Sequence, residues 1–411
     1  MSFNKMFFVK IIFLVFFFHA ESVFAASIDC EPTDDPWSKI HVPFELMPSD
    51  IKITVGTSIP DYTALYTFKS VAVLNASANC TGGLYSDLGM LSSPTLITNK
   101  SGNNIFPTNV PGIGVSVSDP VHANFSYKAF PNIHGGTGRY ASGNVMYVDV
   151  TFWKVPGIIP LASGPITVTG PEMAIFLDDF GYTLTSQYPE RIVSIYSEGG
   201  GGNGKAYVSG SRILTASFIF QPGTCNVQGD NVNVDMGKYD GLNGHSDWKD
   251  ASFHLVCPDG YGYGGTYDTK QLDPHSNYYN ISPGGSYTAN NQLNGRVQVK
   301  IIPLNSEVID ANRGIIALDG SGAQGYGIQL AWGDYSTQTT GDDPASPVIL
   351  GTPVDANTLN SAFSKNSTPI GGNAFTGGDN TIKMAARYVR TTGDAMYGSA
   401  NAIVQVIANY Q

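Results

Sequence analysis

The chain has 411 residues, with 22 Lys and Arg against 33 Asp and Glu, a formal net charge of −11 at pH 7, and 13% charged residues. An acidic, sparsely charged surface repels phosphate backbones, which argues against nucleic acid as a partner. Apolar segments punctuated by 47 glycines, with 22 tyrosines, read as a secreted all-β protein.

Residues 1–25 read as a secretion signal. Lys5 and Lys10 supply the positive start, residues 11–18 the apolar run, and Val23-Phe24-Ala25 the small-residue cleavage pattern. That run is too short for a comfortable membrane span, and no other stretch approaches about 20 apolar residues. The remainder has the length of two or three domains.

From residue 26 the chain alternates short apolar segments with turns. Residues 51–55 and 66–74 are strand candidates, and Asn79-Cys80-Thr81-Gly82-Gly83 ends the second of them. Pro111-Gly112 and Gly114 mark a tight turn or bulge entering residues 115–118. Residues 144–154 are β-branched and aromatic, suited to a sandwich core. Strands are expected again at 166–169, 173–177, 192–196 and 213–220. The glycines at 199–202, followed by Gly204-Lys205, nearly spell a phosphate loop, but Ala206 stands where a Ser or Thr should hold magnesium. A flexible loop is expected there.

Gln221-Pro222-Gly223-Thr224 breaks the pattern. We place a boundary there, giving domains over 26–222 and 223–411. Strand candidates in the second are 252–257, 297–303, 324–332 and 382–390. Residues 333–381 read as long polar loops with one strand at most. The last stretch alternates strictly: Ala400, Ala402, Val404, Val406, Ala408 and Tyr410 on one face, Asn401, Ile403, Gln405, Ile407, Asn409 and Gln411 on the other. That is a strand with one apolar face meant for a core.

Four cysteines in an oxidising compartment point to two disulfides rather than metal ligation, since there is no C-x-x-C pair. Three connectivities are open. Pairing Cys30 with Cys80 and Cys225 with Cys257 keeps each bridge within one half, each worth about 3–4 kcal/mol in the chain-entropy view.

Candidate chemistry is sparse. Asp178-Asp179-Phe180-Gly181-Tyr182 offers paired carboxylates, but adjacent strand residues point to opposite faces. Acids at a turn are usually solvated, so hydrogen bonding to a glycan or peptide is expected there rather than catalysis. The histidines form no H-x-H or H-E-x-x-H motif, there is no G-x-S-x-G, and His134 alone cannot hold a metal. Neither enzyme activity, metal nor cofactor is expected. Aromatic and charged residues gather near polar loops of the first half: Tyr127, Arg139, Tyr140, Tyr182, Tyr188, Glu190 and Arg191. Tyr and Arg combine apolar area with directed hydrogen bonds. Arg139, Tyr140, Asp178, Asp179, Tyr182, Tyr188 and Arg191 are therefore the candidate ligand-binding set.

An apolar terminal strand with Tyr410 next to last resembles the end of a chaperone-usher pilus subunit. The second half is similar to a pilin domain along its length, through Cys225-Asn-Val227, Val234-Asp-Met-Gly237, Phe253-His-Leu-Val-Cys257, Gly325-Tyr-Gly-Ile-Gln-Leu330, Met384-Ala-Ala-Arg-Tyr388, and Gly398-Ser-Ala-Asn-Ala402 with Tyr410. The first half is similar to the receptor-binding domain of type 3 fimbrial tip adhesins, through residues 110–118, Leu161-Ala-Ser-Gly-Pro165, Gly170-Pro171, Cys30 and Cys80.

The resemblance implies two immunoglobulin-like β-sandwich domains, the second an incomplete pilin fold lacking one strand. It implies a periplasmic chaperone, an outer-membrane usher and the next pilus subunit as partners, with Val404, Val406 and Tyr410 at the contact. A strand added by the partner would complete the sheet. It implies secretion to the periplasm, display at the fimbrial tip, and adhesion to a host glycan or a matrix protein such as collagen. Cys30 lies so close to the cleavage site that, once bridged to Cys80, it leaves no free donor segment. The chain is then expected to accept a strand but not to give one, as at the end of a polymer. The rivals are a minor or adaptor pilin without a receptor, and a secreted hydrolase, which would need an acid/base pair in a concave pocket.

Overall fold

The computed structural model describes residues 27–47, 49–55, 59–121, 125–134, 145–178, 181, 183–198, 202–257, 263–268, 297–320, 322–341, 343–363 and 380–410. Nearly all regular structure is β.

In the first half the longest strand, Gly202–Pro222, organises its neighbours. It pairs antiparallel with Ile166–Asp178 and Ile192–Ser197, and parallel with Val42–Glu45 and Ile51–Val55. Ile166–Asp178 also pairs with Tyr85–Met90, which meets the short strand Asn132–Ile133, which in turn lies parallel to Ile192–Ser197. The pairings therefore close on themselves. Residues of these strands alternate between two cores. Leu88, Met173, Ile175, Leu177 and Tyr207 face the large core, while Ile133, Ala174, Phe176, Ile195, Ala206 and Val208 form a small second one.

Two details depart from the sequence reading. Strands expected separately at 166–169 and 173–177 are one strand. Its register shifts between Thr169 and Glu172, where Pro171 has no N–H to give the ladder. The loop expected through Gly204-Lys205 is strand from Gly202 onward. Gly204 and Lys205 pair with Ile195 and Ser194, so the backbone is held by a hairpin partner rather than left free.

The facing sheet runs Thr98–Lys100, Asn103–Pro107, Ile113–Ser118, Val145–Lys154 and Ala64–Asn75. Between the sheets, aromatic rings meet edge-on: Tyr66 with Phe68 at 5.0 Å and Phe152 with Phe218 at 5.1 Å between centroids. Such pairs add about 0.5–1.5 kcal/mol each to their area burial. Beyond Ala64–Asn75 the sheet gains a strand from the other half of the chain. Gly265–Asp268 runs parallel to Tyr66–Lys69.

Ser27–Pro32 is tied down on both sides. Ser27, Ile28 and Asp29 pair with Thr183, Leu184 and Thr185, and Cys30 stands opposite Cys80, to which it is disulfide-bonded. The second bridge joins Cys225 to Cys257, 32 residues apart in sequence.

The second half stacks two sheets. One runs Val354–Asp355, Val297–Leu304, Ile403–Tyr410, Thr224–Val227, Phe253–Val256 and Thr381–Ile382. The other runs Lys249–Asp250, Met384–Arg390, Tyr326–Trp332, Ile315–Ala317 and Val308–Asp310. Val299, Ile301, Leu330, Val348, Phe363 and Ile382 are among the buried residues between them. Within 333–381 the described residues hold strand Val354–Asp355, the single-turn helix Ala356–Leu359 and two short 3-10 turns. On the outer side of the second sheet Arg387 is fully buried. Its Nε and Nη2 donate to Gln329 Oε1 at 2.9 and 2.8 Å, and its guanidinium lies 4.4 Å from the Trp248 ring centre.

Candidate functional site

The terminal strand Ile403–Tyr410 is paired very unequally on its two sides. Against Val297–Leu304 it is antiparallel over its whole length, from Leu304 opposite Ile403 to Val297 opposite Tyr410. On the other side Thr224 and Cys225 pair with Asn409 and Ala408, and the pairing stops there. Among the described residues no strand lies against Ile403–Ile407 on that side. The reason is local. Strand Thr224–Val227 ends at a turn in which Gly229 and Asp230 both take positive φ, and Gln228 N–H donates instead to His254 C=O. The chain leaves the sheet before it can cover the terminal strand.

Beyond the turn the chain is irregular. Val234, Met236 and Tyr239 lean on the core without joining the sheet, while the apolar face Ala400, Ala402, Val404 and Val406 stays half-buried. Between Val234–Tyr239 and residues 397–401, just ahead of the terminal strand, lies a cleft of about 550 Å³, with Tyr326 and Tyr388 also in its lining. Tyr239 stacks on Tyr388 at 6.0 Å and meets Tyr326 edge-on at 5.8 Å. An unpaired backbone edge beside apolar side chains is a template for an incoming strand. Val404 and Val406 lie on the face that the sequence implicates. The side chain of Tyr410 lies outside the described residues.

The candidate ligand set divides differently. Arg139, Tyr140, Asp179 and Tyr182 lie outside the described residues. Tyr188 is 44% exposed, ahead of the 3-10 turn Pro189–Arg191. Arg191 is tied to the backbone. Its Nη1 donates to the carbonyls of Ser38 and Ser209 at 2.9 and 3.2 Å, and its guanidinium lies 5.9 Å from the Tyr188 ring and 6.0 Å from that of Tyr207.

Asp178 is not the solvated turn residue that the sequence suggests. It is the last residue of its strand and 1% exposed, and it hydrogen-bonds Asp87, which is 2% exposed. Asp87 stands opposite Phe176 and Asp178 opposite Tyr85, so the two acids are diagonal neighbours on adjacent strands. Burial first, then the charge of Asp178 and the hydrogen bond between them, push the Asp87 carboxyl up to about 8. At neutral pH the pair therefore holds one proton, shared in the hydrogen bond between the two carboxyls. Tyr127 is buried nearby, and its hydroxyl is raised by burial and by the charges of Asp119 and Asp87. His134 Nε2 lies 3.7 Å from Asp119 Oδ2. A carboxyl–carboxylate pair is acid/base chemistry in kind, but at this burial no substrate reaches it. No three His, Cys, Asp or Glu among the described residues converge as metal ligands do.

No protein-family model matches the sequence, and no curated protein matches it. Solved structures do resemble it. The CupB6 tip adhesin from Pseudomonas aeruginosa aligns over 94% of this chain and 94% of its own, at 12% identity and a TM-score of 0.31. The P pilus rod subunit PapA aligns over 46% of this chain and 92% of its own, at 17% identity and a TM-score of 0.25. These neighbours are a tip adhesin and a pilus subunit. A third is the pre-assembly complex of the chaperone CsuC with the tip adhesion subunit CsuE, from archaic chaperone-usher Csu pili of Acinetobacter baumannii. It aligns over 87% of this chain and 99% of its own, at 11% identity and a TM-score of 0.20.

Asp87 escapes sequence reading, whereas Val234–Gly237, part of the cleft wall, is among the residues that carry the pilin resemblance. Asp87 sits inside Tyr85-Ser-Asp-Leu-Gly-Met90, and an acid flanked by apolar and small residues on a short strand is its one signal. Val232, Val234 and Met236 alternate with Asn231, Asn233 and Asp235 as a strand would, yet the stretch forms no strand.

Proposed function

We propose that the chain is the tip adhesin of a chaperone-usher pilus. Its second half joins the fibre by accepting a strand along the open edge of Ile403–Ile407, and its first half binds a host surface ligand. The observation that carries this reading is the one-sided pairing of the terminal strand, whose apolar face is only half-buried. Burying the faces of Val404 and Val406 under an incoming strand would contribute about 25 cal/mol for each Å² of apolar surface covered. The new ladder would satisfy the backbone groups left open on that edge.

The place at the tip rests on Ser27–Pro32. That segment is held by pairing on both sides and by Cys30–Cys80. It is thus committed to its own half rather than offered to a neighbour, which favours an adhesin over an adaptor pilin. The partners would be a periplasmic chaperone, then an outer-membrane usher and the adjoining subunit, with display at the cell surface. The protein would be no enzyme, since the acid pair Asp87–Asp178 is closed off from any substrate. We propose the host ligand as a glycan or a matrix protein such as collagen, taken at loops of the first half. Many pili per cell would let weak single sites suffice.

The test uses the whole mature chain in complex with a pilus chaperone, presented to immobilised collagen and to a glycan array. Saturable binding to either supports the adhesin reading and chooses the ligand class. A folded complex that binds neither moves the assignment to the adaptor.

A further inference from the structure

The first half borrows part of its core from the second. Tyr263 is 5% exposed and belongs to the large core with Leu65, Tyr66 and Phe68. Burial pushes its hydroxyl up to about 12. Gly264 N–H donates to Leu65 C=O at 2.7 Å, with Gly264 in positive φ, and Gly265–Asp268 then runs parallel to Tyr66–Lys69 in unbroken register. Without these residues Ala64–Asn75 would be the bare edge of its sheet among the described residues, since its other neighbour is Val145–Lys154.

The route to this segment is constrained. Cys257 lies shortly before Tyr263 in the chain and is bridged to Cys225, which itself lies shortly after Pro222, the end of the long first-half strand. Two of the three connections between the halves therefore leave one disulfide, the chain at Pro222–Cys225 and the chain at Cys257–Tyr263, and the third returns from Asp268 to Val297. A single connection would permit swivelling. Two that start at one bridge and end on opposite sheets of the same sandwich oppose it.

We propose that Tyr263–Asp268 is a strap, a strand given by the second half to the edge of Ala64–Asn75 in the same chain. It completes the first-half core and fixes the two halves to one another. The partner of that edge is thus a segment of this chain. If the adhesin reading holds, the strap carries the orientation of the receptor half relative to the fibre, but the strap does not depend on that reading. It also makes residues 26–222 an incomplete unit, with an edge and a tyrosine-sized hollow exposed.

The experiment uses the full mature chain, without ligand. Thr67 and Thr266 stand opposite each other in the parallel register. The double variant Thr67→Cys, Thr266→Cys should form a cross-link within one chain on mild oxidation, seen by peptide mass spectrometry beside the two native bridges. Gly264→Pro removes the N–H and forbids the positive φ. In that variant the alternate amides of residues 65–69 that face the strap should exchange at least tenfold faster, while those of Val145–Lys154 facing Ile113–Ser118 keep their protection. Absence of the cross-link, a cross-link between two chains, or unchanged exchange at 65–69 in Gly264→Pro would each overturn the proposal. A chain that fails only to bind host ligands leaves these readouts intact, so the two readings fail separately.

Discussion

Cys225 stands opposite Ala408, and this is the last paired position on its side of the terminal strand. On its other edge the same strand pairs Asn226 with Val256 and then ends at Val227, and the edge of Ile403–Ile407 is left without a described strand beside it. The disulfide from Cys225 to Cys257 holds that divergence in place. The open edge is thus fixed by a covalent bond at one end and by the turn at Gly229-Asp230 beyond it.

The half-buried face of that strand should govern assembly. Val404→Asp or Val406→Asp sets a carboxylate where an incoming strand would seat its side chains, at a desolvation cost with no partner to offset it. Recovery of the chaperone complex from the periplasm should fall at least tenfold. Ile403→Ser, on the outward face and 55% exposed, should leave it unchanged. Equal recovery of all three variants would contradict the assignment of faces.

Removing the second bridge should cost stability in proportion to the loop it closes. Cys225→Ser with Cys257→Ser releases a 32-residue separation, about 3–4 kcal/mol in the chain-entropy view. Chemical denaturation should show this as a lower midpoint with little change in slope.

The acid pair predicts a pH dependence with a definite sign. The folded value for Asp87, about 8, lies above its ordinary 3.8. The folded state therefore holds a proton that the unfolded chain releases, and its contribution is full below about pH 4 and lost as pH rises through 8. Asp87→Asn keeps a donor towards Asp178 and removes the titration. Its melting midpoint should exceed wild type at pH 8, by about 3 °C or more, and converge with it near pH 4. A difference that stays constant from pH 4 to 8 would show that the pair does not share a proton.

Arg387 is a buried cation that donates twice to an amide oxygen. Arg387→Ala deletes both charge-assisted hydrogen bonds to Gln329 and the contact with Trp248, and should destabilise by about 3–5 kcal/mol. Gln329→Leu should be comparably costly, because it strips the guanidinium of an acceptor in a buried setting. Both are read from denaturant midpoints.

Much of this architecture is legible in the sequence because period 2 is a strong signal where one face is buried. The terminal strand and Ile51–Val55 announce themselves that way, and residues 144–154 through their β-branched and aromatic composition. The cysteines are legible as disulfides from compartment and count. Other features are hidden for physical reasons. Asp178 sits at a sequence position that looks like a turn, and its burial depends on Tyr85–Met90, from far earlier in the chain, crossing beside it. Val232, Val234 and Met236 alternate as in a strand, but the stretch forms none, so the wall Val234–Tyr239 does not follow from its pattern. Gly265–Asp268 is too short to carry a pattern, and its partner lies in the other half of the molecule. Nor can the sequence show that Arg191 Nη1 donates to the backbone carbonyls of Ser38 and Ser209.

Strand acceptance is tested most directly by hydrogen exchange at the amides of Ile403–Ile407, in the chain alone and in its complex with a pilus chaperone. Exchange at alternate amides of this segment should be at least tenfold slower in the complex, as a strand fills the open edge, with Val297–Leu304 unchanged. A stable complex in which Ile403–Ile407 exchanges as fast as in the free chain would contradict strand acceptance at this edge.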